Sequence, residues 1–447
     1  MSRGAAEQGA LEGDVLSRDV VQAVRRLAVI GGGPIGIEAA LYGARLGYRV
    51  SLYEAAEVGA HMLSWGHVRM FSPWWMNISS LGVAALQAEG WRPPDADKCP
   101  TGRDFVRQYL RPLAESMAPR AGLHTGVRVE AIGRDDHLKG DAIREESRRR
   151  APFRLLLDRN GEERVAYVER VIDASGVYGQ HNWLGTCGIP AAGERAASER
   201  ITYHMEDYGG TDRSKYAGVR VLVVGGGYSA ATAVCALARL AKAEPGTTID
   251  WIVRSRRRPP VPVFPDDPLP LRNQLAQEAN HIAEGVHPAV TFREGYVVSE
   301  VRMRGGELRV SLQPSDSGER GRALTAGDPL RVDRVIALVG YRPDLELGRE
   351  LQLHTCWASE GPMSLAATML GPAGGDCLVE SSPGPEALAM PEEGYLWLGH
   401  KSYGRNSSFL LRIGHAQIRD AFRLWEGNPE LDLYSDSELA EATISGS

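Results

Sequence analysis

Arg26-Leu-Ala-Val-Ile30-Gly31-Gly-Gly33-Pro34-Ile35-Gly36-Ile-Glu38-Ala-Ala40 reads as an apolar β-type run, a glycine turn and the start of an alanine-rich helix. The spacing Gly31-x-Gly33-x-x-Gly36 is that of a dinucleotide-binding βαβ unit. Gly31 allows the tight turn, Gly33 lets a pyrophosphate approach the backbone, and Gly36 permits close packing of helix on strand. Pro34 and Ile35, inside the motif, are counted with the glycines as cofactor-binding. The helix N-terminus adds unpaired N–H groups and a partial positive charge that suit phosphates. A second β-type run, Tyr48 to Tyr53, ends at Glu54, where a carboxylate can take ribose hydroxyls.

The pattern recurs. Val219-Arg-Val-Leu-Val-Val-Gly225 opens a second turn, Gly225-x-Gly227-Tyr228-Ser229-Ala230, followed by another alanine-rich stretch. Alanine stands at the third motif position. The strand after it, Thr248 to Val253, runs into Arg254-Ser-Arg256-Arg257-Arg258, with no acid at its end. Guanidinium groups bind phosphate through charge-assisted bonds. Arg254 and Arg256 therefore point to the 2′-phosphate of NADPH, whereas Glu54 points to a nucleotide with free ribose hydroxyls.

Working outward, 447 residues suggest two or three domains, and 43% hydrophobic with 24% charged residues excludes disordered and fibrous classes. A formal net charge of −6 argues against a protein that coats nucleic acid. Five cysteines without a CxxC pair fit a reducing, cytoplasmic setting. Met1 to Gln22 carries no apolar signal region and reads as part of a flexible tail covering residues 1–25. Val221 to Ala241 is mostly apolar, but Gly225 to Gly227 and Arg239 argue against a membrane span.

Three further runs end in glycine: Val165–Asp173 before Ser175-Gly176, Val332–Val339 before Gly340, and Tyr395–Leu398 before Gly399. Each is read as one strand, and Gly176 and Gly399 as cofactor-flanking turns, because doubly wound sheets bind ligands beyond their carboxyl ends. Ser408 to Phe422 has helical spacing, with Asn406 or Ser407 as its cap. Ser407 and Ser408 are counted as cofactor-binding. Gly140–Arg150, Pro259–Pro270 and Gln313–Gly327 read as loops, and Arg148 to Arg150 as solvated surface.

These motifs together resemble the two-dinucleotide-binding-domain flavoproteins, over roughly Arg26 to Phe422, and within them the flavin-containing monooxygenase-like branch. The resemblance rests on the Gly31 and Gly225 motifs, Asp173-Ala-Ser-Gly176 and Val339-Gly340-Tyr-Arg-Pro343. It implies an α/β protein: a discontinuous FAD-binding Rossmann-like domain (26–210 and 331–430), an inserted NADPH-binding domain of the same type (211–330), and a C-terminal tail (431–447). It implies FAD and NADPH as cofactors, O2 and a small molecule as partners, and neither nucleic acid nor membrane. By the same resemblance Asn77, in the aromatic stretch Trp65 to Asn77, is the candidate beside the flavin ring. The implied reaction is oxygenation of a soft nitrogen or sulfur nucleophile through a C4a-hydroperoxyflavin. Two alternatives stay open: a reductase or oxidase delivering electrons to O2, a quinone or a carrier protein, and a non-catalytic redox-sensing flavoprotein. A disulfide reductase of this superfamily needs a redox cysteine pair; Gly31 to Trp91 contains no cysteine and the 211–330 segment only Cys235.

Overall fold

The computed structural model describes residues 25–117, 121–315, 328–369, 378 and 382–435. The elements used below are, in chain order, β1 (Arg26–Ile30), α1 (Pro34–Arg45), β2 (Arg49–Glu54), α2 (Ser80–Gln87), β3 (Ala121–Thr125), β4 (Arg128–Arg134), β5 (Phe153–Arg159), β6 (Glu162–Val168), β7 (Arg170–Asp173) and β8 (Ile201–Thr202). They continue with β9 (Arg220–Val224), α3 (Tyr228–Ala243), β10 (Thr248–Val253), β11 (Val290–Glu294), β12 (Tyr296–Arg304), β13 (Glu307–Pro314), β14 (Leu330–Val332), β15 (Arg334–Ala337), β16 (Tyr395–Trp397) and α4 (Leu411–Glu426). The chain divides into two units, one of residues up to Leu63, Ser72–Gln180 and from Arg342 on, the other of Ser64–Phe71 and His181–Tyr341.

The first unit holds a parallel five-stranded sheet, β16-β7-β1-β2-β3. All five residues of β1 are buried, as expected of a central strand covered on both faces. α1 covers one face, and Ile35 through Gly43 are all buried beneath their neighbours. On the other face, side chains of the antiparallel sheet β4-β5-β6 join β1, β7 and β16 in one cluster that includes Phe153, Leu155, Tyr395 and Trp397. The run read as a single strand, Val165–Asp173, is two. β6 belongs to the antiparallel sheet and β7 to the parallel one, with Glu169 at the break accepting bonds from the backbone and guanidinium of Arg26.

Two other expectations are corrected here. Arg148 is not solvated: it lies in the short helix Glu146–Arg150, only 3% exposed, and shares the buried Glu392 carboxylate with Arg134. A buried arginine without such a partner would carry a severe desolvation cost. Residues 431–435 are not a loose tail, since Leu433 N–H donates to Tyr42 Oη and Ser80 Oγ donates to the Tyr434 carbonyl. Residues 1–24 and 436–447 lie outside the described residues.

The second unit repeats the plan with the parallel sheet β11-β10-β9-β15-β8 and the antiparallel sheet β12-β13-β14. Again one expected strand splits: β14 ends at Val332, Asp333 accepts bonds from the backbone and guanidinium of Arg220, and β15 enters the parallel sheet. The unit is wider than the expected 211–330, because β8 and β15 are hydrogen-bonded into the β9 sheet. Trp65 and Val68 pack on its α3 core, which draws Ser64–Phe71 out of the first unit's sequence span. Pro259–Leu269 is a loop, as read, while Pro270 opens the helix Pro270–His281; the loop is tied down where Asn280 exchanges two hydrogen bonds with the Val261 backbone. Of Gln313–Gly327, residues 316–327 lie outside the described residues, while Gln313 and Pro314 extend β13. No helix among the described residues is long and apolar enough to cross a membrane.

Candidate functional site

In the first unit, the Gly31 turn is shaped by close backbone approaches. Gly31 has φ +105°, and a Cβ there would stand 2.6 Å from the Ala174 carbonyl oxygen. A Cβ at Gly36 would stand 1.9 Å from the Gly31 oxygen, so no side chain fits between helix and turn. A Cβ at Gly33 would meet nothing within 4 Å, and no side chain caps α1, which starts with Pro34. An open glycine at an uncapped helix N-terminus fits a pyrophosphate. Glu54 lies at the side, where its carboxylate accepts Gly32 N–H at 2.6 Å and Ala56 N–H at 2.8 Å. Those bonds fix its direction and leave lone pairs for a ribose.

The two later glycines converge on this turn from distant sequence. Gly176, at φ +74°, follows Ala174, whose N–H donates to the Ile30 carbonyl. Gly399, at φ +70°, would place a Cβ 3.3 Å from Ile35, and Gly414 in α4 would place one 2.3 Å from Ile35 Cδ1. Ile35 therefore reports packing of α1 against the first turn of α4. The Gly399 N–H is held by Gln417 Oε1 at 2.9 Å.

Asn77, Ser407 and Ser408 lie as follows. α4 begins at Leu411, not Ser408, and no side chain caps it. Asn406 instead accepts Ser408 N–H at 3.0 Å and Ser408 Oγ at 2.7 Å, closing a local turn, and Ser407 is exposed. Asn77 is 4% exposed, with its amide donating to the carbonyls of Ser72 and Pro73 and its oxygen accepting Ser72 Oγ. Both N–H donors are thus engaged within its own turn. Its aromatic neighbours pack or face solvent: Trp74 stacks on Phe105, while Trp75 is 59% exposed.

His61 was missed from the sequence. It lies 5.4 Å from the Tyr178 ring, between the Glu54 and Gly176 turns in the fold, and burial holds its imidazole below the usual range despite the Glu54 charge. Only the pairing of residues more than a hundred positions apart reveals it.

The second unit's turn is built alike. Gly225 has φ +142° and a Cβ there would stand 2.3 Å from the Leu338 oxygen, while Gly227 faces open space before an uncapped α3. Ala230 is fully buried, and Ser229 is exposed. Tyr228 Oη donates to the Pro262 carbonyl, and its ring meets Phe71 edge-on at 5.6 Å. Of the arginines, Arg258 pairs with Glu294 and Arg257 donates to Pro260. Arg256 lies against Gly295, whereas Arg254 is exposed and makes no ion pair among the described residues. None of the four described cysteines, Cys99, Cys187, Cys235 and Cys356, forms a disulfide.

Two βαβ nucleotide cradles in one chain, one edged by a carboxylate and the other by arginines, define a redox protein that takes two dinucleotides. The family model for pyridine nucleotide-disulphide oxidoreductases matches residues 124–360, and the chain belongs to that family. FAD and NAD(P)H are the cofactors of this class. Among solved structures, the chain is similar to the bacillithiol disulfide reductase of Bacillus cereus, with TM-score 0.60, 15% identity and coverage of 90% of this chain and 99% of that one. It is equally similar to the FAD-bound cadaverine monooxygenase of desferrioxamine biosynthesis from Erwinia amylovora, with TM-score 0.60, 13% identity and coverage of 90% and 95%. The thioredoxin reductase of T. acidophilum gives TM-score 0.55, 16% identity and coverage of 90% and 99%. At these identities the likeness is one of fold. No protein with a curated description matches the sequence.

Proposed function

We propose that the chain is an NADPH-using FAD monooxygenase that places one oxygen atom on the soft nitrogen or sulfur of a small molecule. The observation that carries this reading is the cysteine placement. The first turn of α1 presents Ile35, no cysteine occurs from Gly31 to Trp91, and Cys187 and Cys235 of the inserted unit stand far apart in sequence. Cys235 is sealed inside α3, and burial pushes its thiol up to about 12, which keeps it from being a nucleophile. Neither the Gly31–Trp91 stretch nor the inserted unit therefore supplies a neighbouring cysteine pair for a dithiol relay. The fold also accommodates amine oxygenation, since one structure of similar fold is a cadaverine monooxygenase.

FAD, when bound, carries the two electrons between coenzyme and oxygen. In this reading Gly31, Gly33, Pro34, Ile35 and Gly36 cradle its pyrophosphate, Glu54 takes its ribose, and Gly176 and Gly399 close the turns around it. Gly225, Gly227, Tyr228, Ser229 and Ala230 hold NADPH, with Arg254 and Arg256 at its 2′-phosphate. His61, whose imidazole burial holds below its usual range, lies near the Glu54 charge. The balance is substrate, O2, NADPH and a proton to oxygenated substrate, water and NADP+.

The test is turnover under 18O2 with a panel of amines and thioethers, following NADPH consumption, peroxide and product mass. One labelled oxygen per NADPH in the product is the expected result. NADPH consumption that appears wholly as peroxide, or as thiols released from an added disulfide, would overturn the reading. No NADPH turnover at all would favour a redox-sensing role.

A further inference from the structure

A lysine and an aspartate lie wholly buried beneath the first cradle, and nothing in the reading above uses them. Asp173 ends β7 and Lys401 follows β16, its neighbour in the parallel sheet. Their side chains are 0% and 1% exposed, and Lys401 Nζ lies 2.5 Å from Asp173 Oδ2. The same ammonium donates to Ser175 Oγ at 3.1 Å. Asp173 Oδ1 accepts Ser175 N–H at 3.1 Å and Ser175 Oγ at 2.7 Å, and Oδ2 also accepts Tyr395 Oη at 3.0 Å. Trp397 Nε1 donates to Tyr395 Oη at 2.8 Å. The next residue along the chain, Ser402, bonds Gly399 O and accepts from Gln417 of α4.

We propose that Lys401, acting through Asp173 and Ser175, is a positioning residue of the flavin cradle. This rests on the reading of the Gly31 turn as the FAD site. The pair ties the Ala174–Gly176 turn, against which Gly31 is packed, to the Gly399–Tyr403 turn, against which Ile35 is packed. Register places Asp173 level with Ile30, the residue before Gly31, so the tie sits at the carboxyl edge where the cradle begins. A buried pair of this kind contributes little net stability against apolar side chains of equal volume, because desolvation offsets the attraction. What it supplies is geometry: neither turn can shift without leaving a charge unpaired in a dry interior.

The experiment compares wild type with Lys401→Met/Asp173→Asn, which removes both charges together, and with Ser175→Ala, a truncation at a half-exposed position. Measured are FAD dissociation constant, visible spectrum and fluorescence of the bound flavin, and melting temperature of the FAD-free protein. The expected result is a double variant that melts near wild type but binds FAD about tenfold or more weakly, with a shifted flavin spectrum. Ser175→Ala should show the same changes at a few-fold. A double variant or Ser175→Ala variant with wild-type FAD affinity and spectrum would overturn the inference while leaving the cofactor reading intact. If the double variant does not fold, Ser175→Ala alone decides. Wild-type protein that binds no FAD would overturn the cofactor reading itself.

Discussion

Gly36 and Ala230 stand at the same step of their motifs, yet the first site has no room for the methyl group that the second one carries. In the first cradle a Cβ at position 36 would stand 1.9 Å from the Gly31 oxygen. In the second, Ala230 is fully buried, its Cβ is real, and it would lie 3.3 Å from a Cβ built at Gly225. α1 thus sits closer on its turn than α3 does. The helices differ again at the seventh position after the first glycine, where Glu38 bonds Ser79 at the start of α2 while Thr232 bonds back to Tyr228 within α3. At the strand ends Glu54 faces its own glycine turn, and Arg254 faces solvent. The scaffold behind these differences is common: Arg26–Glu169 and Arg220–Asp333 make equivalent backbone and guanidinium bonds. One plan therefore serves a tightly closed cradle and a more open one.

The largest expected effect is at Gly36. Gly36→Ala should prevent the first unit from closing, giving protein without flavin; normal flavin content would break the comparison. Gly33→Val comes next and is cleaner, because its Cβ meets no protein atom within 4 Å and its φ of −82° suits any residue. The apo fold should survive while FAD affinity falls by about a hundredfold or more as the side chain enters the phosphate space. Unchanged FAD binding by titration would show that the phosphate lies elsewhere.

Glu38 predicts a pH dependence that α3 lacks. Burial raises its carboxyl from 4.5 to about 7, only partly opposed by the Ser79 bond. Between those values the folded state holds a proton that the unfolded chain has released. Stability present at the acid end of the window is therefore lost as pH rises through 7, by up to about 3 kcal/mol. Denaturant titrations from pH 5 to 8 should show this loss in wild type, and Glu38→Gln should flatten it. An equally steep profile in Glu38→Gln would move the effect to another group.

Arg254→Ala should raise the KM for NADPH several-fold and leave that for NADH unchanged, since an exposed charge-assisted bond contributes about 1.5 kcal/mol. Equal losses in kcat/KM with both coenzymes would place Arg254 at the pyrophosphate or in the scaffold. The smallest change belongs to Ala230→Gly. It should cost about 1 kcal/mol of helix stability and a little packing, with NADPH binding retained. A large loss of coenzyme affinity would mean the second cradle is as tightly fitted as the first.

The glycine motifs, the two-cradle α/β fold and the contrast between Glu54 and Arg254 were legible in the sequence because each depends on residues within one βαβ unit. A tight turn, an open helix N-terminus and a charged strand end are local demands, and local spacing reports them. What the tertiary structure alone decided joins residues far apart. Lys401 meets Asp173, Arg148 and Arg134 meet Glu392, and Trp65 packs on the second unit rather than the first. Asn77 and Ser408 were read as site residues because polar residues beside a motif look alike in sequence, and only the structure shows Asn77 bonded to the Ser72 and Pro73 carbonyls and Ser408 to the Asn406 side chain. The physical reason is common to all of these. Sequence spacing fixes which groups share a turn or a strand, but burial and ion pairing depend on which distant element covers them, and that is settled only when the sheets assemble.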